Sequence, residues 1–453
     1  MKFLTPNIIA EVTGGKFVGK PEELDIKVQG AERDNRDITA ENLFICIEGE
    51  KVDGHDFANA AFDAGAACAL AEKEIPNAKG PYVLVESTLL SLRKLAEYYR
   101  GLFDIPFIGL TGSVGKTTCK ELVAAVLREK LNIIYTAGNL NNEIGVPLTL
   151  LSLNETHQAA VIEMGIGDFG DMSILAQMVR PTIFIMTKIG YAHLDKLGDL
   201  NGVLKGKTEA FAYMKPDSLA IMNGDDDLLR TFDTKRRTIT FGLNDDNDFR
   251  SINIIAGSTE AVEFDIAGDL EPFHVRIPSY GSHLAGLAPA ACAVGRELGL
   301  SNDEIAKGLS HYEPVGGRAN AGVTGKITLI NDCYNANPNS VKAALASLAS
   351  LKGRRVAILG DMVNLGPDAD KLHYEVGVFC AEQGIDLLIC NGREIIDLYK
   401  GYNSVGVGES LYFPSKVEMI KALPGLIKEN DNVLVKASNA MKFWELLPTL
   451  EEL

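Results

Sequence analysis

Short apolar runs alternate with amphipathic stretches along most of the chain. In the middle of the sequence, the runs "PFIGL", "AAVIEMG", "PTIFIMTKIG" and "SLAIMNGDDD" each end in glycine or polar residues. Short β-branched runs separated by helical patterns are typical of strands in a parallel sheet that is covered by helices. The pattern therefore predicts an α/β fold. It also places polar residues at the carboxyl ends of the strands, where such sheets bind ligands.

Breaks in this pattern divide the chain into three predicted domains. One break lies at "YYRGLFDIP", where a helical pattern ends and Asp104 and Pro106 precede a new strand, and another lies at "EPVGGRANAG". Proline and glycine mark such boundaries. Residues 238–277 alternate apolar and polar positions, which predicts antiparallel strands at the end of the central sheet. We expect an N-terminal domain over residues 1–104, a central domain over 105–312 and a smaller C-terminal α/β domain over 313–453.

Composition narrows the class of protein. The 453 residues include 46% hydrophobic and 23% charged residues, with a formal net charge of −17. Affinity for nucleic acid comes from clustered lysine and arginine, so we expect no nucleic-acid partner. No apolar run is long enough for a membrane span and the start of the chain does not resemble a signal peptide, so we expect a cytoplasmic protein. Seven scattered cysteines without a C-x-x-C pair indicate neither a disulfide framework nor a zinc site.

The segment "IGLTGSVGKTTCKELVAAVL" carries the clearest chemical signal. It places two glycines between a predicted strand and a predicted helix, so that backbone N–H groups and the helix N-terminus would face phosphate oxygens. Lys116 would reach the outer phosphates, and Thr117 would hold Mg²⁺. Leu110 occupies the first glycine position of the template G-x-x-x-x-G-K-[ST], so this loop is a shorter form, and the alternative is a glycine-rich turn without a ligand. The predicted nucleotide-binding residues here are Thr111, Gly112, Ser113, Val114, Gly115, Lys116, Thr117 and Thr118.

Three further polar residues follow the predicted loop. Glu163 comes after the strand "AAVI", where a carboxylate would bind a metal ion near the phosphates. His193 lies in "YAHLDKLG" after the next strand, and Lys207 lies on a predicted helix in "VLKGKTEAF". A lone histidine is more often structural than a ligand, and a helical lysine is usually a surface residue. Spacing alone therefore assigns neither of them a function.

Taken in order, these segments resemble the Mur ligase family of ATP-dependent amide-forming enzymes. The resemblance extends over essentially the whole chain and rests on "TGSVGKTT", "GNLNNEIGVP", "IEMG", "AHLD", "KGKTEAF", "NDCYNANP" and "LGDMVNLG". It implies a central, doubly wound, P-loop ATPase-like sheet, flanked by an N-terminal α/β UDP-binding domain and a C-terminal Rossmann-like domain. Within the family, "NNEIGVP" and "DCYNANP" are most similar to the enzymes that add D-alanyl-D-alanine to UDP-N-acetylmuramoyl-tripeptide. The D-N-P-R motif of the diaminopimelate- or lysine-adding enzymes is absent.

The resemblance also implies catalytic roles. Lys116 and the loop amides would bind the ATP phosphates, while Thr117 and Glu163 would hold one Mg²⁺ ion. His193 and a carbamylated Lys207 would hold a second, because a carbamate turns a cationic side chain into an oxygen ligand once the amine is neutral. The predicted catalytic residues are thus Lys116, Glu163, His193 and Lys207.

Other implied roles concern the substrates. The residues expected at the uridine nucleotide are Asp34, Asn35, Arg36, Asp53 and His55, and those expected at the muramyl peptide are Asn139, Asn141 and Asn142. Those expected to close over the nucleotide and the incoming dipeptide are Arg318, Asp332, Tyr334, Asn335 and Asn337.

The implied reaction makes an acyl phosphate on the tripeptide carboxylate, which the amine of D-alanyl-D-alanine then attacks. We expect a monomer that acts on these small molecules. One departure lies at the H-N-x-x-N pattern that contacts adenine in the family, because Leu284 and Leu287 stand at its two asparagine positions. The alternatives are a related ligase with a different acceptor and a nucleotide-binding regulatory protein without turnover. A folate-polyglutamate enzyme fits less well, because a whole predicted domain precedes the phosphate loop.

Overall fold

The structure is a computed structural model that describes residues 3–49, 51–269 and 271–453. Within these ranges the strands form three sheets of five, nine and six strands. Each sheet lies inside one of the three predicted ranges and is packed against helices, so the predicted class of three α/β units is confirmed. The domain boundaries themselves stay predictions.

The N-terminal sheet is small and mostly parallel. Its strand order is β1-β5-β4-β3-β2, and among the described strands of this sheet only the β1–β5 pair is antiparallel. The last helix of this unit joins it to the central one, since the Tyr99 hydroxyl donates to the Leu153 carbonyl at 2.9 Å and Arg100 Nε donates to the Val179 carbonyl at 2.7 Å. The elements are α1 (Pro6–Thr13), β1 (Lys16–Val18), β2 (Ala31–Glu32), β3 (Leu43–Ile45), α2 (Ala58–Asp63), β4 (Cys68–Ala71), β5 (Tyr82–Leu84) and α3 (Thr88–Arg100).

The central sheet positions the phosphate loop. Its first elements are β6 (Phe107–Thr111), α4 (Lys116–Arg128), β7 (Ile133–Tyr135), α5 (Gly145–Leu151), β8 (Ala159–Glu163), α6 (Asp171–Val179), β9 (Ile183–Met186), α7 (Leu194–Leu197) and α8 (Leu200–Thr208). They are followed by β10 (Leu219–Asn223), α9 (Asp227–Thr231), β11 (Arg237–Gly242), β12 (Phe249–Ile255), β13 (Val262–Ala267), β14 (Phe273–Ile277), α10 (His283–Glu297) and α11 (Asn302–Ser310).

The strand order of this sheet is β14-β13-β12-β11-β10-β9-β6-β8-β7. Strand β6 pairs in parallel with β8 on one side and β9 on the other. The chain runs from β6 to β7 and β8 on one side and then crosses to β9 and β10 on the other side of β6. Such a reversal opens a crevice at the carboxyl ends of the strands. The pairs β12–β13 and β13–β14 are antiparallel, as the alternating pattern of residues 238–277 predicted. For β11 that prediction was wrong, because β11 pairs in parallel with β10 and β12.

The C-terminal sheet has the order β15-β16-β20-β17-β18-β19. The four apolar runs of this region form β16, β17, β18 and β20, whereas β15 and β19 lie at the edges and are half exposed. The elements are β15 (Asn320–Thr324), β16 (Ile327–Asn331), α12 (Pro338–Ala349), β17 (Arg355–Gly360), α13 (Ala369–Glu382), β18 (Leu387–Asn391), α14 (Ile395–Val405), β19 (Glu409–Phe413), α15 (Lys416–Leu426), β20 (Asn432–Lys436) and α16 (Leu447–Glu451). No helix in the described part of the chain has both the length and the apolar character needed to cross a bilayer.

Candidate active site

A cleft of about 730 Å³ lies where the carboxyl ends of the central strands face the C-terminal unit. Both units contribute to its lining, and all four predicted catalytic residues lie in it. The predicted residues that line this cleft are Gly112, Ser113, Val114, Gly115, Lys116, Thr117, Thr118, Asn141, Asn142, Glu163, His193, Lys207, Arg318, Asp332, Tyr334, Asn335 and Asn337.

The phosphate loop has a geometry that its glycines make possible. A Cβ atom on Gly112 would lie 2.0 Å from Thr187 Oγ1 and 3.0 Å from the Lys188 nitrogen, so no larger residue fits. Gly115 has a φ of 82°, in the left-handed region that favours glycine. Lys116 Nζ donates to the Gly112 carbonyl at 2.7 Å, which holds the amine across the loop. The loop is thus preformed at the N-terminus of α4, where unpaired amides attract anions.

Glu163 ends strand β8 directly beside this loop. Its side chain is only 1% exposed, and its carboxylate accepts hydrogen bonds from Thr117 Oγ1 at 2.8 Å and from Asn141 Nδ2 at 2.7 Å. A hydroxyl and a carboxylate held this close form the hard-oxygen donor set that Mg²⁺ prefers. The residues present therefore fit a magnesium ion at this point.

Lys207 and His193 form a second group in the cleft. Lys207 is 2% exposed on α8, and burial, together with the charge of Lys116, lowers its pKa well below the usual lysine range. Burial also lowers the pKa of His193, followed by the positive charges of Lys207 and Lys116. Burial thus disfavours the charged form of each of these two side chains. Across the described residues, no group of three or more His, Cys, Asp and Glu side chains forms a metal cluster.

The C-terminal unit contributes an ion pair and a cation–π contact. Lys436 Nζ donates to Asp332 Oδ2 at 2.5 Å and to the Asn335 carbonyl at 2.9 Å. The guanidinium carbon of Arg318 lies 3.9 Å from the centroid of the Tyr334 ring. These contacts fix the orientation of the side chains that face the phosphate loop.

Two segments of the C-terminal unit contact the central one. Asn337, which caps helix α12, donates to the Ser113 carbonyl of the phosphate loop at 3.4 Å. The Asn364 carbonyl accepts from the Leu194 N–H at 3.1 Å, next to His193. Asn364 has a φ of 64°, a left-handed conformation that asparagine tolerates better than most residues. The phosphate loop and the His193 segment are therefore both held against the C-terminal unit.

Comparisons with known proteins agree with this geometry. Residues 27–100 match the description "Mur ligase family, catalytic domain", residues 110–295 match "Mur ligase middle domain" and residues 317–439 match "Mur ligase, glutamate ligase domain". The UDP-N-acetylmuramoyl-tripeptide–D-alanyl-D-alanine ligase of Bacillus subtilis is 33% identical over 450 residues, covering 98% of this chain and 97% of the relative. The chain belongs to the Mur ligase family.

Solved structures of family members share the whole fold. A crystal structure of MurF from Acinetobacter baumannii superposes with a TM-score of 0.89 at 28% identity and covers 100% of both chains. A MurF ligase from Thermotoga maritima in complex with ADP has a TM-score of 0.81 at 26% identity, covering 94% of this chain and 97% of the other. The predicted family and architecture are therefore confirmed.

The five residues predicted at the uridine nucleotide lie in the N-terminal unit and do not line the cleft. Arg36 pairs with Asp34 through two hydrogen bonds of 2.9 and 2.5 Å, which hold the pKa of the Asp34 carboxyl below its usual range. Asp53 accepts from Lys73 and contacts His55 Nδ1 at 2.6 Å. Hydrogen bonds from Lys73 and His55 hold the pKa of the Asp53 carboxyl below its usual range. The fifth residue, Asn35, is half-buried.

Of three other predicted residues, two hydrogen-bond to the backbone and one lies outside the cleft. Thr111 is fully buried, and its hydroxyl donates to the Met164 carbonyl at 2.7 Å. Asn142 lines the cleft and also accepts from the Gly145 N–H at 2.9 Å, at the start of α5. Asn139 is exposed and outside the lining of the cleft.

Lys436 and Asn339 are two of the cleft residues that the sequence predictions did not name. Lys436 is the last residue of strand β20, which pairs in parallel with β16. A lysine at the end of the apolar run "NVLVK" could have indicated a partner for Asp332, because Asp332 directly follows the neighbouring strand. Asn339, whose Oδ1 accepts from the Tyr191 N–H at 3.3 Å, gave no such signal. It lies in the first turn of a helix, and only the packing of the two units brings it to the cleft.

Proposed function

We propose that this chain is an ATP-dependent, ADP-forming ligase that joins D-alanyl-D-alanine to the terminal carboxylate of UDP-N-acetylmuramoyl-tripeptide. One observation carries the proposal. A preformed phosphate loop, the Thr117–Glu163 pair and the polar residues of the C-terminal unit all line one cleft. The names of full-length relatives supply the substrates.

The reaction proceeds in two displacements. A carboxylate oxygen of the tripeptide attacks the γ-phosphorus of ATP, forming an acyl phosphate while the bond to ADP breaks. The amine of D-alanyl-D-alanine then attacks the carbonyl carbon, so that a C–N bond forms, the C–O bond to phosphate breaks and the amine loses a proton. Both displacements need neighbouring reactants that are held in line.

The residues of the cleft would stabilise the negative charge of the phosphates. Lys116 and the amides at the start of α4 would hold the phosphate oxygens, where positive charge stabilises the transition state. Thr117 and Glu163 would hold Mg²⁺, which supplies additional positive charge beside the phosphates when bound. The contact between Asn337 and Ser113 keeps the C-terminal unit against the loop, where it would exclude water that could hydrolyse the acyl phosphate.

Lys207 is the proposed site of a carbamate. Its amine faces the cleft with a lowered pKa, and no acidic side chain among the described residues offsets that shift. A neutral amine reacts with carbon dioxide, forming an N–C bond and releasing one proton. The product replaces an amine with carboxylate oxygens beside His193, as a second magnesium site needs.

The substrates would approach the loop from two sides. The muramyl peptide would lie near Asn141 and Asn142, with Asn139 at its outer end. The uridine nucleotide would lie on the N-terminal unit, near the Asp34–Arg36 and Asp53–His55 pairs. Arg318, Asp332, Tyr334, Asn335 and Asn337 would cover the nucleotide and the dipeptide. We also propose that the protein acts in the cytoplasm as a monomer, which light scattering of the purified protein would test.

Reconstitution tests the activity directly. Purified protein with ATP, Mg²⁺, UDP-N-acetylmuramoyl-tripeptide and D-alanyl-D-alanine should yield UDP-N-acetylmuramoyl-pentapeptide, ADP and phosphate in equal amounts. Phosphate release with another amine but no pentapeptide would indicate a related ligase with a different acceptor. No release with any acceptor would indicate a nucleotide-binding protein without turnover.

A separate experiment tests the carbamate. A Lys207→Ala variant should lose activity and recover part of it with a short carboxylate such as acetate, which would occupy the vacated space. Near-normal activity of Lys207→Ala without acetate would refute the role of the carbamate.

A further inference from the structure

A lysine is completely buried one turn into helix α4, which starts at the phosphate loop. Lys120 is 0% exposed, and its ammonium group makes two contacts of 2.7 Å, one with the Thr136 carbonyl and one with Glu121 Oε1. Lys120 is not part of the cleft lining. Any influence that it has on the bound nucleotide therefore passes through the groups that it contacts.

The gain in stability from an ion pair does not account for this buried charge. Replacing a buried ion pair by apolar residues of similar volume is often neutral or stabilising, because two charges no longer have to leave water. The neighbours of Lys120 on α4 include the fully buried side chains of Cys119, Leu122 and Val123. An apolar side chain of similar length would pack among them. The ammonium group is better explained by the carbonyl that it holds.

Thr136 connects this lysine to the end of strand β8. Thr136 is fully buried directly after β7, and its N–H donates to the Val161 carbonyl at 3.0 Å. Its hydroxyl accepts from the Glu163 N–H at 3.0 Å, and its carbonyl accepts from Lys120. One residue thus makes two hydrogen bonds to β8 and one to α4. Through it, Lys120 ties the main chain of Glu163 to the helix that starts at the phosphate loop.

The segment that follows Thr136 supplies a second contact to Glu163. Asn141 lies five residues later, and its amide donates to Glu163 Oε1 at 2.7 Å, while its carbonyl accepts from the Gly165 N–H at 2.8 Å. The other carboxylate oxygen, Oε2, accepts from the Thr117 hydroxyl at 2.8 Å. Both the main chain of Glu163 and one partner of its carboxylate therefore depend on where Thr136 is held.

We propose that Lys120 is a positioning residue that orients the Glu163 carboxylate for Mg²⁺ by holding Thr136. The proposal rests on the proposed function, because it concerns the carboxylate that would hold the ion beside the ATP phosphates. Lys120 touches neither the ion nor the nucleotide. It fixes the place of Thr136, whose hydroxyl holds the backbone of Glu163 and whose chain leads to Asn141.

The expected effect is a loss of metal affinity without a loss of nucleotide affinity. Removing a partner that orients a metal ligand typically lowers metal affinity by about 10–100-fold. Calorimetric titrations of ADP at a series of Mg²⁺ concentrations give the concentration at which the ion exerts half of its effect on ADP binding, here called the Mg²⁺ requirement. No turnover is needed. ADP affinity without Mg²⁺ should stay unchanged, because Lys116 and the loop amides remain in place.

Substitution of Thr136 tests the link to Glu163. Thr136→Val keeps the shape of the side chain and the carbonyl that Lys120 holds, but it removes the hydroxyl. The Mg²⁺ requirement should rise by about tenfold or more. Thr136→Ser keeps the hydroxyl and should retain the Mg²⁺ requirement of the unmodified protein. An unchanged Mg²⁺ requirement in Thr136→Val, or an equal rise in both variants, would overturn the proposal.

Substitution of Lys120 tests the origin of the link. Lys120→Met is combined with Glu121→Gln, so that no buried carboxylate loses its partner. This double variant should unfold at the same urea concentration as the unmodified protein but show an Mg²⁺ requirement about tenfold higher. The matched control is Lys416→Met, because the Lys416 ammonium contacts the Met441 carbonyl at 3.0 Å and Glu445 at 2.6 Å outside the cleft. It should leave the Mg²⁺ requirement unchanged.

Two results for the double variant would overturn the proposal. One is a normal Mg²⁺ requirement. The other is a joint loss of urea stability and of ADP affinity without Mg²⁺, which would show that Lys120 only supports the fold.

The same titrations separate this proposal from the proposed function. A raised Mg²⁺ requirement in Thr136→Val, together with no ligation by the unmodified protein, would support the positioning role and refute the ligase activity. Ligation by the unmodified protein with an unchanged Mg²⁺ requirement in Thr136→Val and in the double variant would do the reverse. An unmodified protein that does not bind ADP would overturn both.

Discussion

Replacing Lys207 by methionine should abolish activity without destabilising the protein. Lys207 is 2% exposed, its pKa is lowered by burial and by Lys116, and no acidic side chain in the described ranges offsets that shift. Methionine has a similar length and no charge, so it fills the same space beside His193. The substitution removes the amine that the proposed chemistry requires and leaves the packing of helix α8 intact.

The magnitude follows from the cost of burying a polar group without a partner. That cost is about 1–3 kcal/mol in proteins. We expect the lower end, about 1 kcal/mol, because the amine faces the cleft and keeps some access to water. The free energy of unfolding of Lys207→Met should therefore equal or exceed that of the unmodified protein in buffer freed of carbon dioxide.

The direction in which stability changes with pH follows from the lowered pKa of Lys207. Between the folded and the unfolded pKa, the unfolded state binds more protons, so the stability of the unmodified protein rises with pH through that range. The advantage of Lys207→Met should accordingly be largest below that range and shrink as the pH approaches the usual lysine value.

Urea denaturation measures the free energy of unfolding of Lys207→Met, and a phosphate-release assay measures its activity. Lys205→Met is the matched control, since Lys205 is exposed on the same helix with its ammonium over the Phe169 ring, and this variant should keep its activity. The reasoning would be refuted if Lys207→Met kept more than about a tenth of the activity. It would also be refuted if Lys207→Met lost about 3 kcal/mol or more, the loss typical of a broken buried ion pair.

Three further substitutions have expected outcomes. Glu163→Gln should lower the rate of ADP formation by about 10²–10³-fold, the loss typical of a removed charge-stabilising group, and unchanged Mg²⁺ dependence of the rate would contradict this. Gly112→Ala should lower the unfolding free energy by about 1–3 kcal/mol and weaken ADP binding in calorimetry, because the new Cβ would overlap Thr187 Oγ1. Gly425→Ala is its control, since it meets no atom within 4 Å. Lys436→Met should destabilise the protein by about 3 kcal/mol in urea denaturation, because Asp332 loses its charged partner, and adding Asp332→Asn should restore part of that loss.

The sequence predicted most of the sheet strands and most of the candidate site. Continuous apolar runs predicted β6, β8, β9 and β10 of the central sheet and β16, β17, β18 and β20 of the C-terminal sheet. The strands of the N-terminal sheet and β7 were not predicted individually, although β3 and β4 are buried. The edge strands β15 and β19 were missed because half-exposed strands lack such runs. The predicted residues Lys116, Glu163, His193 and Lys207 lie in one cleft, but their chemical roles and the uridine site stay proposals. Lys436 and Asn339 were missed, because each acquires its place only through a contact with a distant segment.

The sequence by itself determined the phosphate loop, because glycine, lysine and threonine act there within one strand, turn and helix that local spacing specifies. It also determined the family, because several ordered segments repeat the pattern of its members. Only the tertiary structure decided that Leu287 packs against Gly115, that Asn364 bonds to Leu194 and that Lys207 is buried. These contacts depend on strand order and on the docking of one sheet against another. Local patterns of polar and apolar residues do not encode which distant surfaces meet.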